Sequence, residues 1–528
     1  MAKIKKMQLN NETVYPVTHI EAVYDSNGHT INEKMDSIDL SLQRCIKTID
    51  FDGNIDINFT GNNTNEIYMN VTDHGLIGDG VFDNTENMQN IINNLNDVEN
   101  KYVLVFPPGI YNMTNVNISK SNITITGIGE VIIQTIKNTI HGLFTWDNNK
   151  IYSNIAIKNI TFKGELFYKD QPIIANSIIC FQGVSNFIIS NCNFIDCGGK
   201  AIIGADGLVN NVMIDSCRFY NTVNGGIEIR PCRDIIVRNC VFKNIAGYST
   251  EQAAHPIYFR ADTPVEGSPH VLQNINIYNN LFEDIDTPLY GATYAIKVVV
   301  NTAATPDESI VTDNVVIANN IINWKGGIYV SQADNCCIKN NVINVRNDIL
   351  DSRFIAILAD KIINNTISDN EINMDTNVYS KCISLNSNTY CNITNNKIST
   401  KNGEILRVTD NFSKGVNSIN MLYNNLSSKG NAAENYSIIL STDMNTFKYI
   451  NNTQECDIRC IHGGAFTIDN VFIINNTFIY VDNDISTGVA VRLSNVNVLN
   501  KYQCNNTFIN FGISNNEEQD IVFSKGDE

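Results

Sequence analysis

One motif returns along most of the chain: an Asn, apolar residues alternating with other residues, one or two further Asn, and an apolar residue two positions on. It runs as Asn154-Ile155-Ala156-Ile157-Lys158-Asn159-Ile160-Thr161-Phe162, and again as Asn186-Phe187-Ile188-Ile189-Ser190-Asn191-Cys192-Asn193-Phe194. Further copies end at Phe219, Phe242, Phe282, Ile322, Ile343, Ile372 and Ile398, and weaker ones surround Asn424-Asn425, Asn451-Asn452 and Asn475-Asn476. Most copies follow one another at about 20 to 30 residues, with two longer steps ahead of Phe282 and Ile322. The alternation has period two, so each copy is a short strand with one buried face, and helical spacing is absent. Strands repeating at this interval predict a parallel β-solenoid, in which every coil stacks on the one before. A β-propeller is the rival, but blades of about 40 residues with four strands fit the period less well. The Asn then has a cause: it accepts the left-handed backbone of a sharp corner, and its amide can bond from coil to coil.

Stacked coils also reconcile length with composition. A chain of 528 residues is too long for one ordinary compact domain, yet no shift of composition divides it. Hydrophobic residues make up 43% and charged residues 17%, which excludes a disordered chain. The formal net charge of −18 speaks against nucleic acid or anionic lipid as a partner. Fourteen cysteines are too sparse for a disulfide framework and sit mostly in apolar runs, where they read as small buried hydrophobes. Cys456 and Cys460 have a spacing near metal type but no second pair, so no zinc, other metal or cofactor is expected. No apolar run reaches the roughly 18 residues of a membrane span, and Met1-Ala2-Lys3-Ile4-Lys5-Lys6 is not followed by an apolar signal region. The expectation is synthesis in a reducing cytoplasm.

The N-terminal third has another pattern. Ile31, Met35, Ile38, Leu42 and Cys45 alternate at spacings of four and three, the seam of a short coiled coil or of an amphipathic helix packed on its own chain. From Asp73 to Ile92 a Gly-rich turn leads to Asp83 or Asn84 as a helix N-cap, with Met88, Ile91 and Ile92 on one helix face. The strand Tyr102-Val103-Leu104-Val105-Phe106 runs into Pro107-Pro108-Gly109-Ile110-Tyr111, and Asn122-Ile123-Thr124-Ile125-Thr126-Gly127 begins the coils. A helix ahead of the first coil would shield its open edge.

These last segments resemble the opening motif of the pectate-lyase-like right-handed parallel β-helix superfamily, which includes polygalacturonase-type glycosidases and bacteriophage tailspikes. The resemblance covers the chain from about residue 70 onward. Residues 14 to 35, beginning Val14-Tyr15-Pro16-Val17-Thr18-His19, are similar to the segment by which phage tail proteins dock on the virion. Together these resemblances imply a homotrimeric spike of the phage tail, a receptor-binding protein or depolymerase acting at the host cell surface. Residues 1–70 would attach it to a tail or baseplate protein, 71–500 would form the β-helix, and 501–528 a last coil or tail. The catalytic motifs of polygalacturonases, an Asn-Thr-Asp strand and an Asp-Asp pair, are missing at the corresponding coils, so no catalytic residue carries over. Outward Asp residues stacked for calcium are missing too.

The site therefore has to come from the strands. A second series aligns on Ile202, Ile227, Ile257, Ile296, Ile328 and Ile355 as inward residues, which points Ile203, Glu228, Tyr258, Lys297, Tyr329 and Ala356 outward. Two residues on, a second column reads Ala205, Arg230, Arg260, Val299, Ser331 and Leu358. Inserts near 246–256, 262–273, 286–294 and 301–313 would wall a groove beside it. Tyr258 and Tyr329 suit stacking on sugar rings; Arg230, Arg260 and Lys297 suit anionic sugars or phosphate-linked glycans. Glycoside hydrolysis needs two carboxyl groups about 5 to 9.5 Å apart. Glu228 is the first candidate, with Asp206 or Asp262 as its partner and His255 as a base or substrate ligand. The alternative is a solvated ion-pair ladder that adds little stability. His74 and His462 are expected in turns, and Asp79 in a structural role. The functions that follow are hydrolysis of a bacterial surface polysaccharide or teichoic acid, β-elimination on such a glycan, or binding without cleavage.

Overall fold

The computed structural model describes short strands within the first 65 residues and most of the chain from Glu66 onward. Outside the described residues from there on lie 137–141, 148–149, 166–176, 206, 208, 246–254, 263–270, 285–293, 302–310, 348–353, 377–378, 411–415, 429–435, 457–458, 464–465, 481–490, 494–495, 510–520 and 524–528. The chain divides into two compact units, Met1–Tyr68 and Met69–Glu528. In the first, Met7–Leu9 pairs antiparallel with Glu12–Val14, and Ile46–Ile49 with Ile55–Ile57. The seam from Ile31 to Cys45, and the docking resemblance beyond Val14, lie outside the described residues.

The larger unit is a right-handed parallel β-helix. Among the described residues its strands form three parallel sheets of 16, 16 and 15 strands. One coil shows how they are shared: Val184–Ser190 belongs to the first sheet, Asn193–Ile195 to the second and Ile202–Gly204 to the third. Each then pairs in parallel with its counterpart in the next coil, Val209–Asp215, Arg218–Tyr220 and Ile227–Ile229. The repeat read in the sequence is the corner between the first two sheets, and no propeller blade is formed among the described residues.

The core follows from register. Phe162, Phe194, Phe219, Phe242 and Phe282, which end the first motif copies, are fully buried. Their rings stack with centroids 4.6 to 5.3 Å apart. Asn159, Asn191 and Asn239 turn the corner with φ of 57°, 53° and 55°, the left-handed region that Asn enters at low cost. The next residue points inward. It is Cys192, Cys217 and Cys240 on three successive coils, then Asn280, Asn320, Asn341, Asn370, Asn396, Asn424, Asn452 and Asn476, all buried. From Asn280 onward each amide donates to the next: Asn341 Nδ2 to Asn370 Oδ1 and Asn370 Nδ2 to Asn396 Oδ1, both at 3.0 Å. Thus most cysteines are buried small residues as expected, although Cys504 is exposed.

At the other end Thr85–Asn93 is helical, and Met88, Ile91 and Ile92 are buried. The two cap candidates divide the work. Asn84 occupies the cap position and spends its side chain on Ile77, while Asp83 Oδ1 accepts from Thr85 N at 3.0 Å. Asp79 has the structural role expected of it: Oδ1 accepts from Val81 N and Phe82 N at 2.8 Å, and these bonds lower its pKa.

Candidate functional site

The third sheet brings the predicted residues into one outward column. Ile203 pairs with Glu228, Glu228 with Tyr258, Tyr258 with Lys297, and Lys297 with Tyr329. The last step differs from the expected alignment. Ile328 pairs with Ile357 rather than Ile355, so Leu358 continues the column, and Ala356 is fully buried. The cause is a shift of two residues, which leaves an alternating apolar pattern unchanged and is therefore invisible to it. The second column changes with it: Ser331 pairs with Asp360, not Leu358.

Glu228 is 4% exposed and sits among cations. Lys200 Nζ lies 3.0 Å from Oε2, while Arg230 Nε and Arg260 Nε lie 2.8 and 3.6 Å from Oε1. A cavity of about 220 Å³ opens over these groups, with Asn224, His255 and Tyr258 also in its wall. Above it Lys297 is sandwiched between aromatic faces, its ammonium 4.8 Å from the Tyr258 ring centroid and 5.8 Å from that of Tyr329. Burial lowers the pKa of Lys297, and Glu228 opposes that shift. Tyr329 donates its hydroxyl to Asp360 Oδ2 at 2.9 Å. Burial raises the pKa of both members of this pair.

His255 lies behind the cavity, 5% exposed, its ring edge-on to Tyr258 at 5.1 Å. Nδ1 is 3.2 Å from Tyr294 O, a carbonyl that can only accept, so this nitrogen carries the proton. Burial, with Lys297 nearby, pushes the His255 pKa down to about 3. The ring is therefore a neutral wall group at ordinary pH. Between about 6.5 and 3 an unfolded chain would take up a proton that the folded chain refuses. Stability from this group falls by about 1.4 kcal/mol per pH unit as pH drops through that window. Asp360, with its pKa raised, acts in the opposite direction. Urea unfolding against pH is expected to give a shallower acid loss for His255→Gln than for the parent; equal slopes would contradict the assignment.

Not every candidate joins this group. Asp206 lies outside the described residues, and so do the inserts expected to wall the groove. Asp262 ends the strand Ile257–Asp262, where it pairs with Asn301; its side chain is not among those described. Lys200, Tyr294 and Asp360 belong to the site but were not read from the sequence. Lys200 precedes its strand and so has no place in the alternation, whereas Asp360 is reached only through the shifted register. Asp360 stands four strands beyond Glu228, about 19 Å at sheet spacing, too far for a glycosidase pair. Both Glu228 oxygens face cations, which makes it the centre of an ion cluster.

Similarity to known proteins can be set beside this geometry. A family model described as rhamnogalacturonase A/epimerase, pectate lyase-like, matches residues 68–344, more than half of the chain. The chain belongs to this family. Glu228, Tyr258, Lys297 and Tyr329 of this pectate-lyase-like chain fall inside the matched region, and Asp360 falls beyond it. Among solved structures, the tailspike of E. coli bacteriophage HK620, in complex with a hexasaccharide, superposes with a TM-score of 0.52 at 12% identity, covering 84% of this chain and 80% of that one. A surface adhesin of Streptococcus pneumoniae gives 0.45 at 17% identity, covering 65% and 93%. An exopolygalacturonase of Yersinia enterocolitica gives 0.43 at 12%, covering 86% and 82%. Identities this low show the fold alone. No curated protein matches the chain.

The same column continues through Leu358, Ser384, Arg407, Ile439 and His462. Arg407 is bound to the fully buried Glu404 and donates to Tyr379 Oη at 3.1 Å. His462, expected in a turn, is instead in the strand Arg459–Gly463, its ring stacked on Tyr436. Among the described residues no helix is long and apolar enough to cross a membrane, and no three of His, Cys, Asp and Glu gather as metal ligands.

Proposed function

We propose that this chain is the β-helix of a phage tail spike and that it binds an acidic polysaccharide of the bacterial surface along the outward column of its third sheet. The observation that carries the reading is the set of cations Lys200, Arg230, Arg260 and Lys297 around one carboxylate, set between the Tyr258 and Tyr329 rings on a chain with a net charge of −18. Such a patch matches an anionic sugar: guanidinium groups take its carboxylate or phosphate, and aromatic faces take the ring. In this reading residues 1–70 attach the spike to the virion, and three chains assemble.

Binding is favoured over hydrolysis because Asp360, the other carboxylate of the described column, stands four strands from Glu228, about 19 Å at sheet spacing. Incubation with acidic envelope glycans, followed by assays for new reducing ends and for the absorbance of unsaturated sugars, separates the possibilities. Retention of a glycan with neither signal is the expected result. New reducing ends would point to hydrolysis through Asp206 or Asp262, and unsaturated ends to elimination. Light scattering is expected to give three times the chain mass of 58.9 kDa, and a monomer mass would contradict the spike assembly.

A further inference from the structure

Cys456 and Cys460 are the two cysteines whose spacing has no use in the glycan site. Cys456 ends the strand Thr453–Cys456 of the second sheet, and Cys460 lies in Arg459–Gly463 of the third. Both are fully buried, and their Sγ atoms are 2.7 Å apart, closer than two unbonded sulfurs rest. The corner cysteines of earlier coils are placed differently. Cys192, Cys217 and Cys240 direct their thiols at the carbonyls of Ser190, Asp215 and Arg238, at 3.3, 3.3 and 3.1 Å. Cys456 and Cys460 direct theirs at each other. Buried polar bonds hold the corner around them: Tyr449 Oη donates to Gln454 Oε1 at 2.7 Å, and Gln454 Nε2 to Cys460 O at 3.4 Å. A metal would need further ligands, and no group of three is present among the described residues.

We propose that Cys456 and Cys460 are oxidised to a disulfide that ties the second sheet to the third across one corner of the stack. The two thiols give up two protons and two electrons as the S–S bond forms. A small disulfide such as oxidised glutathione accepts the electrons and leaves as two thiols. Thiolate is the attacking species in such exchange, and burial together with the Cys456 sulfur raises the pKa of the Cys460 thiol. The bond therefore forms while the corner is open during folding, and in the closed coil it resists reduction. A chain that folds in a reducing compartment would keep both thiols, and one whose corner opens or refolds in an oxidising medium would acquire the tie.

The test uses the full chain, refolded in a mixture of reduced and oxidised glutathione, then denatured in excess alkylating reagent without reductant and digested with trypsin. Cleavage after Arg459 separates the peptides Tyr449–Arg459 and Cys460–Arg492 unless a disulfide joins them. The expected result is one joined species, about 2 Da lighter than the sum of the two peptides, while peptides carrying Cys192, Cys217 and Cys240 are alkylated. Separate, alkylated Cys456 and Cys460 peptides would overturn the proposal, and so would either cysteine joined elsewhere. Thermal melting adds a readout of the tie itself. The oxidised parent is expected to melt above the reduced parent, with no such difference in a Cys456→Ser, Cys460→Ser variant. Equal midpoints for the two forms of the parent would overturn the tie.

Discussion

Asn396→Ala is expected to destabilise the coil stack by about 3 to 5 kcal/mol, although the side chain lost is small and uncharged. In the parent, Asn396 Nδ2 donates to Ile367 O at 2.8 Å and to Asn424 Oδ1 at 3.1 Å. Its Oδ1 accepts from Asn370 N at 2.9 Å and from Asn370 Nδ2 at 3.0 Å. Truncation strands the backbone and side-chain donors of Asn370 and takes a donor from Ile367 O inside the stack, while Asn424 Oδ1 keeps the bond from Asn396 N at 3.0 Å. Each buried orphan costs about 1 to 3 kcal/mol. Leucine at the same position would fill the space but leave the same groups unpaired, so Asn396→Leu is expected to be no better. The contrast is Asn154, an exposed residue of the strand Tyr152–Lys158 with φ of 57°, whose Nδ2 donates to Asn122 Oδ1 at 2.8 Å and whose Oδ1 accepts from Asn186 Nδ2 at 3.1 Å. Asn154→Gly keeps the backbone and loses two solvated bonds, so a change within about 0.5 kcal/mol is expected. Urea unfolding of the variants gives the comparison, and a loss below 1 kcal/mol for Asn396→Ala would deny the ladder its role.

Glu228→Ala is the second large effect, expected to cost about 3 kcal/mol. Removing one member of a mostly buried ion cluster leaves the opposite charges without compensation, which costs more than the intact pair contributes. Here three cations would be left facing one another: Lys200, Arg230 and Arg260, with 17%, 22% and 21% of their side-chain surface exposed. Their partial exposure holds the figure at the low end of the range for a broken buried pair. It also gives the loss a salt dependence, since anions from solution can enter the cavity. The deficit relative to the parent is expected to shrink as salt is raised, and adding Arg260→Ala to Glu228→Ala is expected to restore part of the stability. A double variant less stable than the sum of the single changes would contradict this picture.

The β-helix was legible because two independent constraints recur at one interval: alternation that buries one strand face, and Asn where the backbone must turn left-handed. Phe194, Phe219 and Phe242 could be aligned by inspection for that reason. The column Glu228, Tyr258, Lys297 and Tyr329 was legible too, since alternation about an inward Ile settles which neighbour points out. What alternation cannot settle is a shift by an even number of residues, and Asp360 was lost through that ambiguity. Lys200 was hidden by its position in a corner, where no periodicity applies. The ion cluster around Glu228 was half legible: Arg230 and Arg260 follow from the second column, whereas the approach of Lys200 Nζ to Oε2 at 3.0 Å does not.

The central claim is that the basic and aromatic column reads an acidic glycan. The direct measurement is titration of the protein with an acidic oligosaccharide and with its carboxyl-reduced counterpart, repeated for Arg260→Ala. A charge-assisted contact is worth about 1.5 to 3 kcal/mol, so a preference for the acidic sugar of roughly tenfold or more is expected in the parent and its loss in Arg260→Ala. Equal affinity of the parent for both sugars, or an unchanged preference in Arg260→Ala, would contradict the account.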